Sequence, residues 1–131
     1  MQGLYAQTRA RMTLELPREP DTPSRARAAL GAIDESLPPE QGSAARLLVT
    51  ELVTNAVKYG GDGPVRVDAG MTGGRFRAGV TDEGEGFEPP RRHPGQGDGQ
   101  SGWGLQFVAE LSDRWGVYAG PTHVWFELDL P

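Results

Sequence analysis

The spacing of apolar residues predicts the elements of the N-terminal part of the chain. Residues 12–16 (MTLEL) alternate apolar and polar positions before Pro17, which predicts a short strand ending at a residue that cannot donate to a β-ladder. Thr22-Pro23-Ser24 is typical of a helix start, and Pro38-Pro39 ends the helical pattern that follows it. The apolar positions of this first helix are Ala26, Ala29, Leu30, Ile33 and Leu37.

A longer helix and a hairpin come next. A wide apolar arc predicts a second helix from about residue 40 to residue 59, which Gly60-Gly61 stops. The arc consists of Leu47, Leu48, Leu52, Val53, Ala56 and Val57. Two alternating stretches, 65–71 (VRVDAGM) and 75–82 (RFRAGVTD), flank Thr72-Gly73-Gly74 and predict an antiparallel hairpin.

The C-terminal part combines a long loop with one helix and two strands. Residues 84–102 are dominated by Gly, Pro, Arg and Gln, which predicts a long loop, and such loops are usually functional lids or disordered segments. A third helix at about 104–114 precedes the strands GVYAG and HVWFELDL, which meet across Gly120-Pro121. The order of elements predicts an α+β fold, a two-layer α/β sandwich with helices on one face of a mixed, mostly antiparallel sheet. We assign residues 1–11 to a flexible N-terminal tail and 12–131 to one domain.

Composition narrows the function classes. The 131 residues, 37% of them hydrophobic, are enough for one core, and the lack of cysteine excludes disulfides and thiolate metal sites. No apolar run reaches the length of a signal peptide or a membrane span, so we expect a soluble, cytoplasmic protein without membrane contact. The net charge of −5 and the dispersed arginines argue against direct nucleic-acid binding. We expect Trp115, Trp125 and Phe126 to pack in the core.

The second helix carries a polar stripe. Glu51, Asn55 and Lys58 follow the spacing i, i+4, i+7, which puts a carboxylate, an amide and the only lysine of the chain on one helix face. Such a stripe can bind one ligand, or it can be the solvated face of an amphipathic helix. Asparagine favours the first interpretation, because it is a poor residue for a helix interior.

Two glycine-containing stretches add candidate ligand contacts. In VTDEGEGF, Asp82 ends a strand and can accept a hydrogen bond from an amine, while Gly84 and Gly86 allow a flat ligand to approach the backbone. In SGWGLQ, Gly102-x-Gly104 opens a helix whose N–H groups suit a phosphate. The alternative for the first stretch is a plain turn from a strand into a loop. The alternative for the second stretch is a helix start with a flexible entry and no ligand.

The sequence does not fit two other nucleotide-binding motifs. Gly97-x-Gly99-x-x-Gly102 has the residue spacing of the dinucleotide-binding fingerprint. That fingerprint requires a strand directly before it, whereas these glycines follow a loop, so we exclude a dinucleotide site of this type. The sequence contains no Gly-x-x-x-x-Gly-Lys-Ser/Thr, which excludes a Walker-type NTPase.

In order, ELVTNAVKYG, VTDEGEGFEP and GWGLQFVAELSDRWG resemble the N, G1 and G2 boxes of the Bergerat-fold (GHKL) ATPases. Within that superfamily the chain is most similar to stand-alone anti-sigma factor serine/threonine kinases, described as histidine kinase-like ATPase domains. The resemblance spans residues 12–131. It implies ATP and Mg²⁺ as cofactors.

The resemblance also implies roles for single residues. Asn55 matches the Mg²⁺-binding asparagine, Glu51 the general base, and Lys58 a basic residue that neutralises phosphate. Asp82 matches the carboxylate that reads adenine. Gly84 and Gly86 would shape the adenine pocket. Residues 88–101 would form a mobile lid over the triphosphate of ATP. The closing hinge of this lid and the start of the next helix would be Gly102, Gly104 and Leu105.

The implied function is a regulatory serine protein kinase that switches between a sigma factor and an anti-sigma factor antagonist, as a homodimer. The chain departs from the family pattern at Trp103, where a basic residue is common, and at His123, where a threonine is common and Thr122 lies one position earlier. These departures keep open an alternative, a nucleotide-gated protein-binding module with weak or no kinase activity. A sensor histidine kinase fragment is disfavoured, because no phosphoacceptor histidine precedes Glu51.

Overall fold

A computed structural model describes residues 11–34, 36–59, 63–82, 107–118 and 123–131. Its strands are β1 (Arg11–Leu16), β2 (Val65–Thr72), β3 (Arg75–Thr81), β4 (Arg114–Tyr118) and β5 (His123–Asp129). Its helices are α1 (Thr22–Ala29), α2 (Gly31–Asp34) and α3 (Pro39–Tyr59), and residues 107–111 are also helical. The predicted order of elements is confirmed.

The five strands form one sheet in the order β1-β2-β3-β5-β4. Every strand pair in this sheet is antiparallel. Strands β2 and β3 form the predicted hairpin, whose turn contains Gly73 and Gly74 with φ angles of 58° and 80°. Glycine is the residue that adopts such angles most readily, so it permits this tight reversal. The predicted two-layer α+β fold is confirmed. The expectation of a mixed sheet is wrong for the described strands, because each of them pairs with its neighbours in the antiparallel direction.

The core lies between the helices and one face of the sheet. The buried apolar side chains of the strands are Leu16, Val65, Val67, Ala69, Phe76, Ala78, Val80, Val124, Phe126 and Leu128. Those of α3 are Ala45, Leu48, Val49, Leu52, Val53 and Ala56. The rings of Phe76 and Phe126 lie 6.0 Å apart between centroids, in the range of favourable aromatic contact. Helix α3 therefore packs across the centre of the sheet.

Two predicted helices have different limits in the structure. The first is interrupted at Leu30, which ends α1, before Gly31 begins the single turn α2. Glycine favours a break here because it costs a helix more backbone entropy than other residues do. The third helix ends at residue 111 and not at Arg114, because Arg114 already pairs with Glu127 as the first residue of β4.

The second sheet face carries mostly polar side chains, among them Arg66, Asp68, Arg77 and Glu127, and no described helix covers it. We call it the open face. The prediction that Trp125 packs in the core is wrong, since Trp125 lies on the open face while its neighbours in β5 are buried. Phe126 is buried and Trp115 packs against the core, as predicted.

Helix α3 is 21 residues long but has charged residues along its length. No helix in the described ranges has both the length and the apolar character to cross a membrane.

Candidate functional site

The predicted polar stripe lies along one side of α3, beside its buried arc. Glu51 and Asn55 are half-buried, and Lys58 is exposed in the last turn. Neighbours at this spacing have Cβ atoms about 5–6 Å apart. Within the described residues, no hydrogen bond or ion pair engages Glu51, Asn55 or Lys58. Three polar groups thus lie on one helix face without a partner among the residues that the structure describes.

The threonines beside the stripe are arranged differently. The Thr50 hydroxyl donates to the Arg46 carbonyl at 2.7 Å, and the Thr54 hydroxyl donates to the Thr50 carbonyl at 2.7 Å. Both hydroxyls bond back to the preceding turn of the helix, a common arrangement for a threonine in a helix. The polar groups available to a ligand on this side of α3 are therefore those of Glu51, Asn55 and Lys58.

The sheet brings Asp82 to the same end of the molecule as the last turn of α3. Asp82 directly follows Thr81, which pairs with Arg66 at the start of β2. Helix α3 ends at Tyr59, and only five residues separate it from Val65, where β2 begins. Asp82 is 4% exposed, so its carboxylate is buried at this end of the core. A carboxylate at this position can accept a hydrogen bond from the polar edge of a ligand.

These residues fit a magnesium nucleotide. Magnesium prefers oxygen ligands, keeps several waters and is usually held by one or two side chains together with substrate phosphates. The Asn55 amide offers one such oxygen, and in the described part of the chain no side chain or backbone group is hydrogen-bonded to it. No group of three or more His, Asp or Glu side chains with metal-binding geometry occurs in the part of the chain described. A site shared with phosphate oxygens does not require one.

Several predicted site residues lie outside the described ranges. They are Gly84, Gly86, Gly102, Gly104 and Leu105, together with the predicted lid at 88–101 and the departures Trp103 and Thr122. Their roles stay predictions.

His123 is described, and its side chain lies on the open face. It is the first residue of β5 and pairs with Thr81. A Cβ atom placed on Gly79 would lie 2.8 Å from the His123 Nε2, so the imidazole lies against the backbone of β3. This face is opposite to the one on which α3 packs, so the His123 side chain points away from the Glu51-Asn55-Lys58 stripe.

The open face also carries a charged cluster that sequence analysis did not predict. Glu127, whose side chain is 14% exposed, accepts hydrogen bonds from Arg114 Nε at 2.7 Å and Arg77 Nη1 at 3.0 Å. Arg114 also binds Asp129, and the Arg77 guanidinium lies 4.2 Å from the centre of the Trp125 ring. The hydrogen bond from Arg114 lowers the pKa of Glu127, and Arg77 acts in the same direction. Arg114 also lowers the pKa of Asp129.

Beside this cluster, the open face has a cavity of about 410 Å³. Its lining includes Arg11, Asp68, Gly70, Arg77 and His123. None of Glu51, Asn55, Lys58 and Asp82 lines it. The cavity is therefore separate from the candidate site.

Sequence analysis missed one residue that contacts the helix of the candidate site. Arg18, in the turn between β1 and α1, donates through Nη1 to the carbonyl of Val57 at 2.9 Å and to the carbonyl of Ala56. Both acceptors lie between Asn55 and Lys58 in the chain. An arginine between two prolines gives no sequence signal for a contact across 38 residues.

Comparison with known families identifies one family. The family model of the histidine kinase-like ATPase domain matches residues 16–127, which is most of the chain. Among curated proteins, none matches the sequence significantly.

Solved structures share the fold. The structure of the RsbU and RsbW domains of Rv1364c from Mycobacterium tuberculosis matches with a TM-score of 0.71 and 23% identity, over 92% of this chain and 32% of that one. The histidine kinase domain of the blue-light activated histidine kinase from Erythrobacter litoralis EL346 matches with a TM-score of 0.58 and 25% identity, over 82% of this chain and 59% of that one. A longer structure of that kinase matches with a TM-score of 0.59 and 25% identity, over 82% of this chain and 40% of that one. This chain therefore spans between a third and three fifths of the structures that it matches.

Proposed function

Since the chain belongs to the histidine kinase-like ATPase domain family, we propose that it binds ATP with Mg²⁺ and acts as a regulatory serine protein kinase of the anti-sigma type. The observation that carries the proposal is the stripe of Glu51, Asn55 and Lys58, three polar side chains with no protein partner within the described residues. The buried Asp82 at the same end of the sheet supports it.

Each residue of the candidate site has a role in this proposal. Asn55 would supply an oxygen ligand to Mg²⁺, and Lys58 a compact positive charge near the phosphates. Asp82 would accept a hydrogen bond from the exocyclic amine of adenine. Glu51, one turn before Asn55, would accept the proton of the serine hydroxyl. Bound ATP would supply its γ-phosphoryl group to the serine oxygen and leave as ADP, and Mg²⁺ would neutralise charge on the phosphate oxygens.

We extend the proposal to partners on the strength of the sequence resemblance. The chain would bind a sigma factor in one nucleotide state and phosphorylate an anti-sigma factor antagonist in another, as a cytoplasmic homodimer. The fold match to a protein that contains an RsbW domain is consistent with this role.

Calorimetric titration of ATP, with and without Mg²⁺, tests the nucleotide site. We expect metal-dependent binding by the wild type and clear weakening by Asn55→Ala and by Asp82→Ala. Gln41→Ala, in the first turn of the same helix, and Asp68→Ala, on the open face, are matched controls that should bind like the wild type. An absence of ATP binding by the folded wild-type protein would refute the proposal.

A transfer assay separates the kinase from the alternative, a nucleotide-gated binding module. The sequence departure at Trp103 favours that second candidate. The protein would be incubated with labelled ATP and each candidate antagonist. Label on a serine of the antagonist supports the kinase, whereas nucleotide-dependent complex formation without label supports the module.

A further inference from the structure

Arg18 connects the N-terminal turn of the chain to the end of the helix that carries the candidate site. Its guanidinium donates to two carbonyls of α3, those of Ala56 and Val57, the second at 2.9 Å. Helix α3 ends at Tyr59, so both carbonyls belong to its last turn. The last four carbonyls of an α-helix have no partner within the helix, and a positive charge there is favourable for the helix dipole. Arg18 therefore caps α3 with both hydrogen bonds and charge.

The base of the Arg18 side chain is itself fixed. Thr22, which is fully buried, donates from its hydroxyl to the Pro17 carbonyl at 2.5 Å and accepts from the Glu19 amide at 3.0 Å. Just before this turn, Leu16 ends β1 in register with Val65, the first residue of β2. The turn is thus anchored to the sheet on one side and to α1 on the other, so Arg18 extends from a rigid point.

The turn of α3 that Arg18 caps is also the part of the helix that orients the ligand-binding side chains of the candidate site. Ala56 and Val57 are the two residues that follow Asn55, and Lys58 comes next. A helix end without partners for its carbonyls frays, and fraying changes the direction of side chains in the last turn. Asn55 and Lys58 can meet one ligand only while this turn keeps its helical geometry.

We propose that Arg18 is a positioning residue for the nucleotide site: by capping the last turn of α3 it sets the directions of the Asn55 amide and the Lys58 amine. The inference rests on the proposed function, because it assigns Arg18 to the same magnesium nucleotide site. Arg18 acts through α3 and does not itself touch the ligand.

A role in stability alone is the competing explanation, and a binding measurement on folded protein separates the two. A residue that only stabilises the fold changes the melting temperature but leaves the dissociation constant of the folded protein unchanged. Leu128→Ala is the matched control for lost stability, because Leu128 is buried and pairs with Phe76 near the hairpin turn, at the other end of the sheet. Arg25→Ala is the control for lost charge, since among the described residues the Arg25 side chain makes one exposed ion pair, with Glu19 at 3.5 Å.

The test is calorimetric titration of ATP with Mg²⁺, at a temperature where every variant is folded. Arg18→Ala should weaken binding by about 10-fold to 100-fold, the range found when a residue that orients a metal ligand is removed. Arg18→Lys keeps the charge on the carbonyls and should recover part of the affinity. Arg25→Ala and Leu128→Ala should bind like the wild type. Equal affinities for Arg18→Ala and Arg25→Ala would overturn the inference.

A double-mutant cycle shows whether Arg18 acts through Asn55. In an Asn55→Ala background the Arg18→Ala change should cost much less affinity than in the wild type, because the group that it positions is already gone. Fully additive losses would contradict the inference.

If the wild type binds no nucleotide, the proposed function fails first. Amide exchange in the nucleotide-free protein still tests the cap, since Arg18→Ala should accelerate exchange in the last turn of α3 and Arg25→Ala should not.

Discussion

The imidazole of His123 lies against the backbone of Gly79, so close that a Cβ atom at position 79 would come within 2.8 Å of Nε2. Burial in this position lowers the pKa of His123 below its ordinary value of 6.5. Asp68 opposes that shift, and the positive charge of Arg77 adds to it. The neutral form of His123 is therefore favoured in the folded protein.

This relationship predicts a pH dependence of stability. The pKa of His123 is lower in the folded chain than in the unfolded chain, so the unfolded state takes up the proton more readily. Stability should therefore rise as pH increases through the ordinary pKa of 6.5 and fall on acidification below it. Thermal unfolding between pH 5 and pH 8 measures this, and His123→Gln should flatten the slope. His93→Gln, which removes the other histidine, is the control, and a larger change in that variant would contradict the assignment.

Glu127 predicts a second loss of stability in acid, at lower pH than that of His123, because here the charged form of the side chain stabilises the fold. Because Arg114 and Arg77 lower its pKa in the folded chain, its carboxylate stabilises the fold above the ordinary pKa of 4.5, and this contribution disappears as pH falls through the folded value. Glu127→Gln should cost about 1–2 kcal/mol at pH 7 and much less in acid. Urea unfolding at pH 7 and pH 3 measures the difference. Glu15→Gln, at an exposed position of β1, should have little effect at either pH.

Two adjacent leucines of α3 test how the helix packs. Leu48 is fully buried in the core, whereas Leu47 is 39% exposed although the apolar pattern had placed both in one arc. Leu48→Ala should lower the free energy of unfolding by about 2–5 kcal/mol, since it leaves a cavity. Leu47→Ala should change it by about 0.5 kcal/mol or less. Chemical denaturation of both variants checks the orientation of α3, and comparable losses would contradict it.

The proposed role of Glu51 as general base can be tested separately from nucleotide binding. Glu51→Gln should reduce phosphoryl transfer to serine by about a hundredfold or more, because it removes the proton acceptor while keeping size and polarity. Nucleotide affinity should change little. Rate measurements at saturating ATP, with titrations alongside, check both expectations. Glu40→Gln, in the exposed first turn of α3, is the control, and an unchanged rate for Glu51→Gln would remove Glu51 from this role.

The sequence by itself determined the elements and much of the candidate site. Strand alternation, helix-spaced apolar residues and the Gly73-Gly74 turn are short-range signals, so they predicted the order of elements and the hairpin correctly. The stripe of Glu51, Asn55 and Lys58 was also predictable, since helix geometry alone puts residues at this spacing on one side. Asp82 was found for a similar reason, because it directly follows a recognisable strand.

Only the tertiary structure decided which face of β5 is buried and what holds the end of α3. The stretch HVWFELDL alternates, but Trp125 is a large apolar residue on the same face as His123, so the pattern alone did not show where its ring could be accommodated. Pairing of β5 with β3 and β4 settled it, because Gly79 and Gly116 leave room there for the two rings. The contact of Arg18 with α3 spans 38 residues and exists only once β1 pairs with β2. Contacts of this kind depend on how elements assemble in space, which local spacing along the chain does not encode.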